Sequence, residues 1–270
     1  MPPQKMKRSS KCRKLSDKKI LLMKIIAIIP SRYGSTRLAA KSLADIHGKP
    51  MVQHVYERAR QSRFITDVFV ATDDERIESA VKKFGGNVVM TSPDIQSGSD
   101  RIAAAARSIT ADIVVNVQGD EPLIEPRMID QTIQLLLDDS SALVGTAIKK
   151  ISSSEELLNP SVVKVVLDKN FYGLYFSRSA VPHVRDVADA TEWLKHTIFY
   201  KHFGMYVYRA DFLQKFSTFA PTPLELSEKL EQLRILENGY RIKCVVTEYD
   251  SVPVDTQEDL DNVRNYLRGK

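Results

Sequence analysis

From residue 25 onward, short apolar runs alternate with segments whose apolar residues recur at helical spacing. Residues 25–29, IIAII, are five apolar residues in a row. That is the pattern of a strand buried on both faces in a parallel sheet, and Pro30 is expected to end it. Residues 50–62 place Met51, Val52, Val55, Tyr56 and Ala59 on one helical face behind Pro50. His54 falls on the flank of that face, the place of a packed helix residue rather than a ligand. Residues 68–71 predict a strand, 75–84 a helix stopped by Gly85-Gly86, and 87–91 another strand. An alanine-rich helix over 101–108 is capped by Ser99 or Asp100. Strand 113–117, helix 126–137 and strand 143–147 follow.

Serines at 152–154 and Pro160 then mark a change of texture. Residues 162–167 and 172–176, separated by Asp168-Lys169-Asn170, read as a hairpin, and 204–208 as a strand alternating Tyr206 and Tyr208 with Met205 and Val207. This stretch, about 160–210, is rich in strands and aromatic residues and reads as an insert suited to a lid or a dimer surface. Residues 222–238 predict the longest helix, capped by Thr222 and stopped by Gly239, with Leu226, Leu230 and Leu233 as its buried stripe and Glu225, Glu228, Glu231 and Gln232 on its polar side. Strand 242–246 and a final helix capped by Thr256 close the chain.

Strands alternating with helices of this length define an α/β fold with a doubly wound, mostly parallel sheet, and residues 24–270 form a single domain with that insert. Ligands of such folds lie beyond the carboxyl ends of the strands. Three polar clusters fall there: residues 31–41, Thr72-Asp73-Asp74 and Gln118-Gly119-Asp120-Glu121. The first sets small residues among Arg32, Arg37 and Lys41, which suits a loop around phosphate as well as a solvated surface loop. Asp120, after an apolar strand and a glycine, is placed either to hold Mg2+ against phosphate or to cap a turn. Asp255, one step before a helix cap, is free to point at a ligand. Arg185 and His202 are candidates to bind an acidic substrate. Neither GxxxxGK[ST] nor GxGxxG occurs, which excludes a P-loop NTPase and an ordinary dinucleotide oxidoreductase.

Charge sharpens the ends of the chain. Residues 1–24 hold nine Lys or Arg against the single Asp17, whereas the remainder carries 30 Lys or Arg against 33 Asp or Glu. The basic tail, 1–23, is either an arm for an anionic surface or nucleic acid, or an inert leader upstream of a start at Met23. No apolar run approaches the roughly 18 residues of a membrane span, and there is no secretory signal pattern, so a cytoplasmic protein is expected. The two cysteines, Cys12 and Cys244, are too far apart in sequence to indicate a zinc site or a disulfide framework.

The segments IIPSRYGSTRLAAKSLADIHGKPM, VATDD, MTSPDIQSGSDR, VNVQGDEP, NPSVVKVVLD, YFSRSAVP, KHFGMY, PLELSEKLEQLRIL and VDTQEDL, in this order, resemble the bacterial 3-deoxy-manno-octulosonate (Kdo) cytidylyltransferases, or CMP-Kdo synthetases. The resemblance spans about 24–267. It implies the nucleotide-diphospho-sugar transferase version of the fold, a homodimer, and transfer of CMP from CTP to Kdo with release of pyrophosphate, for lipopolysaccharide synthesis. It further implies that Arg32 and Lys41 bind the triphosphate, with Arg37 contributing, and that Asp120 and Asp255 hold Mg2+. Arg32, Lys41 and Asp120 are then the catalytic residues. Thr72, Asp73, Ser97 and Gly98 surround cytosine and ribose, while Gln118, Arg185, His202, Tyr206, Glu231 and Gln232 hold the sugar acid, Arg185 at its carboxylate. Cytidylyltransferases for sialic or other ulosonic acids are the neighbouring alternative, and a nucleic-acid-binding protein using the tail is the alternative from another class. One departure stands out: where the family usually reads RLPGKP, this chain has Arg37-Leu38-Ala39-Ala40-Lys41-Ser42. Ala40 lacks glycine's access to positive φ, so an altered CTP affinity is expected.

Overall fold

A computed structural model describes residues 23–34, 38, 40–95 and 97–269. The tail expected over 1–23, apart from Met23, lies outside the described residues, as do Arg37 and Ala39. In chain order the strands are β1 (Ile25–Ser31), β2 (Asp45–Ile46), β3 (Lys49–Pro50), β4 (Asp67–Thr72), β5 (Asn87–Met90), β6 (Ile113–Asn116), β7 (Val144–Lys150), β8 (Lys164–Leu167), β9 (Gly173–Ser177), β10 (Tyr200–Arg209) and β11 (Ile242–Val246). The helices are α1 (Met51–Ala59), α2 (Glu75–Lys83), α3 (Gly98–Ala106), α4 (Pro126–Asp138), α5 (Ser154–Leu158), α6 (Ala210–Phe216), α7 (Pro223–Glu228), α8 (Gln232–Glu237) and α9 (Gln257–Arg268).

β1 is central because it is apolar on both sides. It pairs in parallel with β4 and with β6, and the main sheet runs β11-β7-β10-β6-β1-β4-β5. Ile25, Ala27 and Ile29 pack with α1, α2 and α4 on one face; Ile26 and Ile28 pack with α3, α6 and α8 on the other. This is the doubly wound arrangement, with β10 the antiparallel exception between β6 and β7. Its Met205 and Val207 enter the first core, Tyr206 and Tyr208 the second.

Three boundaries differ from the sequence expectations, each for a local reason. β1 does not stop at Pro30 but runs through it to Ser31. Pairing with β6 ends at Ile28↔Asn116, so the missing Pro30 N–H faces no partner strand, while the other side keeps the register Pro30↔Ala71 with β4. The helix expected from 101 begins at Gly98, and its cap is Ser97, whose Oγ accepts the Asp100 N–H at 3.0 Å. The long helix over 222–238 is two short ones. Lys229 takes a left-handed conformation (φ 54°) between α7 and α8, which turns Leu226 out to solvent. Glu225 and Arg234 are buried instead, joined by a two-pronged pair with Arg234 Nε to Glu225 Oε2 at 2.7 Å.

Within 160–210, β8 and β9 form a hairpin that leaves the main sheet, and β8 also pairs with the start of β10. A small core of Ile151, Leu157, Trp193 and Phe199 supports this region. β10 then passes an irregularity between His202 and Tyr206 and continues into the middle of the sheet.

Candidate active site

Arg32, Asp73 and Gln118 to Asp120 follow the carboxyl ends of β1, β4 and β6, adjacent strands of one sheet, so chain topology alone brings them together. Close approach is helped by Gly119, where a Cβ would lie 2.6 Å from the Pro30 carbonyl oxygen. The segment before α9 is drawn in by the Val254 N–H, which donates to the Asp120 carbonyl at 2.9 Å. Asp255 thereby meets Asp120 from across the chain. The two carboxylates share one cation: Lys41 Nζ donates to Asp120 Oδ2 at 2.8 Å and to Asp255 Oδ1 at 3.0 Å. Burial pulls the Lys41 pKa down, but the two adjacent carboxylates outweigh this and hold it above its usual value.

Around these three strands the neighbouring polar residues are set by hydrogen bonds. Arg32 Nη2 donates to the Ile95 carbonyl at 2.8 Å, and its pKa is lowered by burial and then by the positive charge of Arg101. Thr72 is fully buried; its carbonyl accepts from Thr91, and its hydroxyl accepts the Asp74 N–H at 3.2 Å. Asp73 is paired with Arg101, and Ser97 and Gly98 form the start of α3.

Beside these residues lies a cavity of about 470 Å³ between α3, β10 and α8. Gln118, His202, Tyr206, Glu231 and Gln232 all line it, together with Gly98. Gln118 is held by donation to the Gly204 carbonyl at 2.8 Å. The His202 ring sits between Phe176 and Tyr206, with Nε2 3.0 Å from Thr146 Oγ1; burial pushes its pKa down to about 3, so it is neutral. Two buried polar atoms on this wall, Tyr206 Oη and Gln232 Nε2, have no hydrogen-bond partner among the described residues. An unpaired buried donor of this kind costs about 1–3 kcal/mol, which a hydroxylated ligand would recover.

Arg185 lies apart from these residues. Its side chain is 92% exposed, its Nε lies 3.7 Å from Asp186 Oδ1, and it is not among the described residues that line the cavity. The loop after β9 carries it away, and the cations that do line the cavity are Lys201 and Lys229. Sequence reasoning also passed over two buried residues of the site. Arg101 is fully buried; its trace in the sequence is a lone cation in the alanine-rich helix. Glu121, next to Asp120, is buried and accepts the Ser251 hydroxyl at 2.6 Å; burial raises its pKa to about 7.

A sheet that gathers cations, two hard carboxylates and a polar cavity at its carboxyl edge defines a nucleotide-handling α/β enzyme. The chain belongs to the cytidylyltransferase family, whose model matches residues 26–242. It is 54% identical to the 3-deoxy-manno-octulosonate cytidylyltransferase of Geotalea uraniireducens over 91% of this chain and 100% of that protein. The protein of the same name from Geobacter metallireducens is 56% identical over 89% of this chain and 96% of its own length. Among solved structures, a CMP:2-keto-3-deoxy-manno-octonic acid synthetase complexed with CTP superposes with a TM-score of 0.85 at 42% identity, covering 91% of this chain and 99% of that one. The 4-diphosphocytidyl-2C-methyl-D-erythritol synthase of Anaerococcus prevotii, with a TM-score of 0.57 at 13% identity over 91% of this chain and 99% of its own, shares the fold alone.

Proposed function

We propose that this chain transfers CMP from CTP to the anomeric hydroxyl of Kdo, releasing pyrophosphate and supplying CMP-Kdo for lipopolysaccharide synthesis in the bacterial cytoplasm. The observation that carries the reading is the adjacency of the Asp120–Lys41–Asp255 cluster to a cavity whose Tyr206 and Gln232 present unpaired polar atoms. The names of the relatives supply the identity of the sugar.

In this reading the Kdo hydroxyl attacks the α-phosphorus and the P–O bond to pyrophosphate breaks in line. Such transfers are catalysed mainly by positioning and by neutralising charge on phosphate oxygens. Arg32 and Lys41 grip the triphosphate, and the Ser97-Gly98 start of α3 meets the nucleoside. Gln118, His202, Tyr206, Glu231 and Gln232 orient the sugar's hydroxyls, and neutral His202 neither repels nor attracts charge there. Lys229 and Lys201 take over from Arg185 as the cations on the side of the sugar acid.

Mg2+ is part of the proposal. Among the described residues no group of three or more His, Cys, Asp or Glu converges on one point, so the donor set is the two carboxylates already gathered round one cation. That set fits an ion that is bound through one or two carboxylates plus substrate phosphates. Asp120 and Asp255 would hold it, and it would supply positive charge at the phosphates and acidify the attacking hydroxyl.

The test is a pyrophosphate-release assay with CTP, Mg2+ and fresh Kdo, run beside sialic acid and UTP. Release with CTP and Kdo is expected; release only with another ulosonic acid moves the reading to the neighbouring alternative, and none refutes it. Homodimerisation through the 160–210 region is part of the same reading, supported by the exposed Leu174 and Ile198 there. Light scattering should give the mass of two chains, and Leu174→Glu with Ile198→Glu should give one. CTP turnover is not expected to need nucleic acid or a membrane; among the described residues no helix is long and apolar enough to cross one.

A further inference from the structure

A guanidinium buried in an alanine-rich helix needs a reason, because removing a charge from water costs several kcal/mol unless it is fully paired. Arg101, on α3, is 0% exposed. Its Nη2 meets Asp73 Oδ2 at 2.6 Å and the Ile95 carbonyl at 3.2 Å. Its Nη1 meets Thr91 Oγ1 at 2.5 Å, and that hydroxyl in turn donates to the Thr72 carbonyl at 3.1 Å. One side chain therefore joins the end of β4, the residue after β5, and the loop leading to the Ser97 cap. The Ile95 carbonyl is also the acceptor of Arg32. Two cations thus converge on one oxygen, with Asp73 paired to Arg101 and its negative charge, like that of Glu231, also acting on Arg32.

Resting on the functional reading above, we propose that Arg101 is a positioning residue that joins the nucleoside-side segments to Arg32, so that recognition of cytidine and grip on the triphosphate are set by one buried guanidinium. Arg101 fixes where Ile95 lies, and Ile95 fixes where Arg32 waits. On CTP entry Arg32 exchanges a carbonyl for a phosphate oxygen, and Arg101, repelling it and keeping Ile95 satisfied, makes that exchange cheap. Arg101→Met keeps the side-chain volume but strands the Asp73 carboxylate, so some loss of stability is expected with it, and positioning is read from CTP affinity and the KM for Kdo in the folded variant rather than from melting.

The experiment is calorimetric titration of the full chain with CTP and Mg2+, with melting temperatures alongside. Arg101→Met is expected to weaken CTP binding at least roughly tenfold, the scale of a lost charge-assisted hydrogen bond, while melting below the wild type and keeping its KM for Kdo. Arg101→Lys, which can still reach Asp73 but cannot fork, should recover part of the affinity. Adding Arg101→Met to Arg32→Ala should cost less than the separate effects combined, since both act through Ile95. Should Arg101→Met not fold, Thr91→Val decides, with a smaller loss in the same direction expected. CTP affinity unchanged in the folded variant, or in Thr91→Val where that decides, overturns the inference alone. A wild-type chain that binds no CTP overturns the functional reading and this inference with it.

Discussion

At the scale of single residues, the arrangement to explain is an ammonium lying between two carboxylates. Two anions forced together would repel, and Lys41 removes that cost while leaving both oxygens directed at one spot. Because Asp120 and Asp255 stand in for each other poorly once one loses its charge, Asp120→Asn should lower pyrophosphate release by a factor of roughly 100 to 1,000, the loss seen when one stabiliser of developing charge is removed. Activity within a few-fold of wild type would remove Asp120 from the mechanism. Two other buried groups set the pH response. His202 titrates at about 3 in the folded chain against 6.5 when free, so its contribution to stability falls as pH drops through that window. Glu121 titrates at about 7 against 4.5, so the folded state binds the extra proton and stability falls as pH rises from 4.5 to 7. Between 4.5 and 6.5 the two oppose one another. Glu121→Gln should therefore stabilise the chain at pH 8 by about 1–3 kcal/mol and not at pH 4.5, in denaturant titrations at the two values. Residues whose chemistry shows in their neighbours, such as Asp120 after an apolar strand and a glycine, were legible in the sequence. The position of Arg185 was not, because nothing in a string of letters says that the loop after β9 turns away from the cavity; nor was Arg101, whose partners Asp73, Thr91 and Ile95 come from outside its own helix.

At the scale of elements, periodicity located the strands of the main sheet and most helices, missed the two-residue strands β2 and β3, and failed where tertiary pairing overrode it. Residues 222–238 carry leucines at helical spacing, yet the buried Glu225–Arg234 pair requires α8 to turn against α7, and Lys229 adopts a left-handed backbone to allow it. The loop before Lys41, with Ala40 directly ahead of the lysine, poses the same question and answers it similarly. Ala40 has φ 52° and ψ 32°, a left-handed conformation held as its carbonyl accepts the Leu43 N–H at 2.8 Å. A non-glycine residue there costs roughly 1–2 kcal/mol, and glycine returns about 0.4–1 kcal/mol of that to the unfolded chain as entropy. Ala40→Gly should accordingly stabilise the protein by about 0.5–1 kcal/mol in chemical denaturation. It should also tighten CTP binding, because Lys41 directly follows the strained residue. A destabilised variant with weaker CTP binding would mean that Ala40 is not the strained position.

At the scale of the whole molecule, the sheet order explains why a site can be assembled from residues more than 200 positions apart. β1, β4 and β6 present the Arg32, Asp73 and Asp120 segments, and β10, inserted antiparallel beside β6, brings His202 and Tyr206 to the cavity. β10 also begins in the hairpin region and ends in the core, so ligand in the cavity bears on both parts. Binding that ties together segments so distant in sequence should show as global stabilisation. At about 100 times its dissociation constant a ligand adds about 2.7 kcal/mol, which for a domain of this size is a rise of several degrees in melting temperature. CTP with Mg2+ should produce such a rise, and CTP with EDTA a smaller one, because the carboxylates of Asp120 and Asp255 then face the triphosphate without the divalent ion between them. Calorimetric scans at fixed CTP, with and without chelator, measure the difference. Equal shifts in the two scans would mean that the carboxylates hold no ion when CTP binds, and the metal part of the proposed mechanism would fall while the nucleotide site stood.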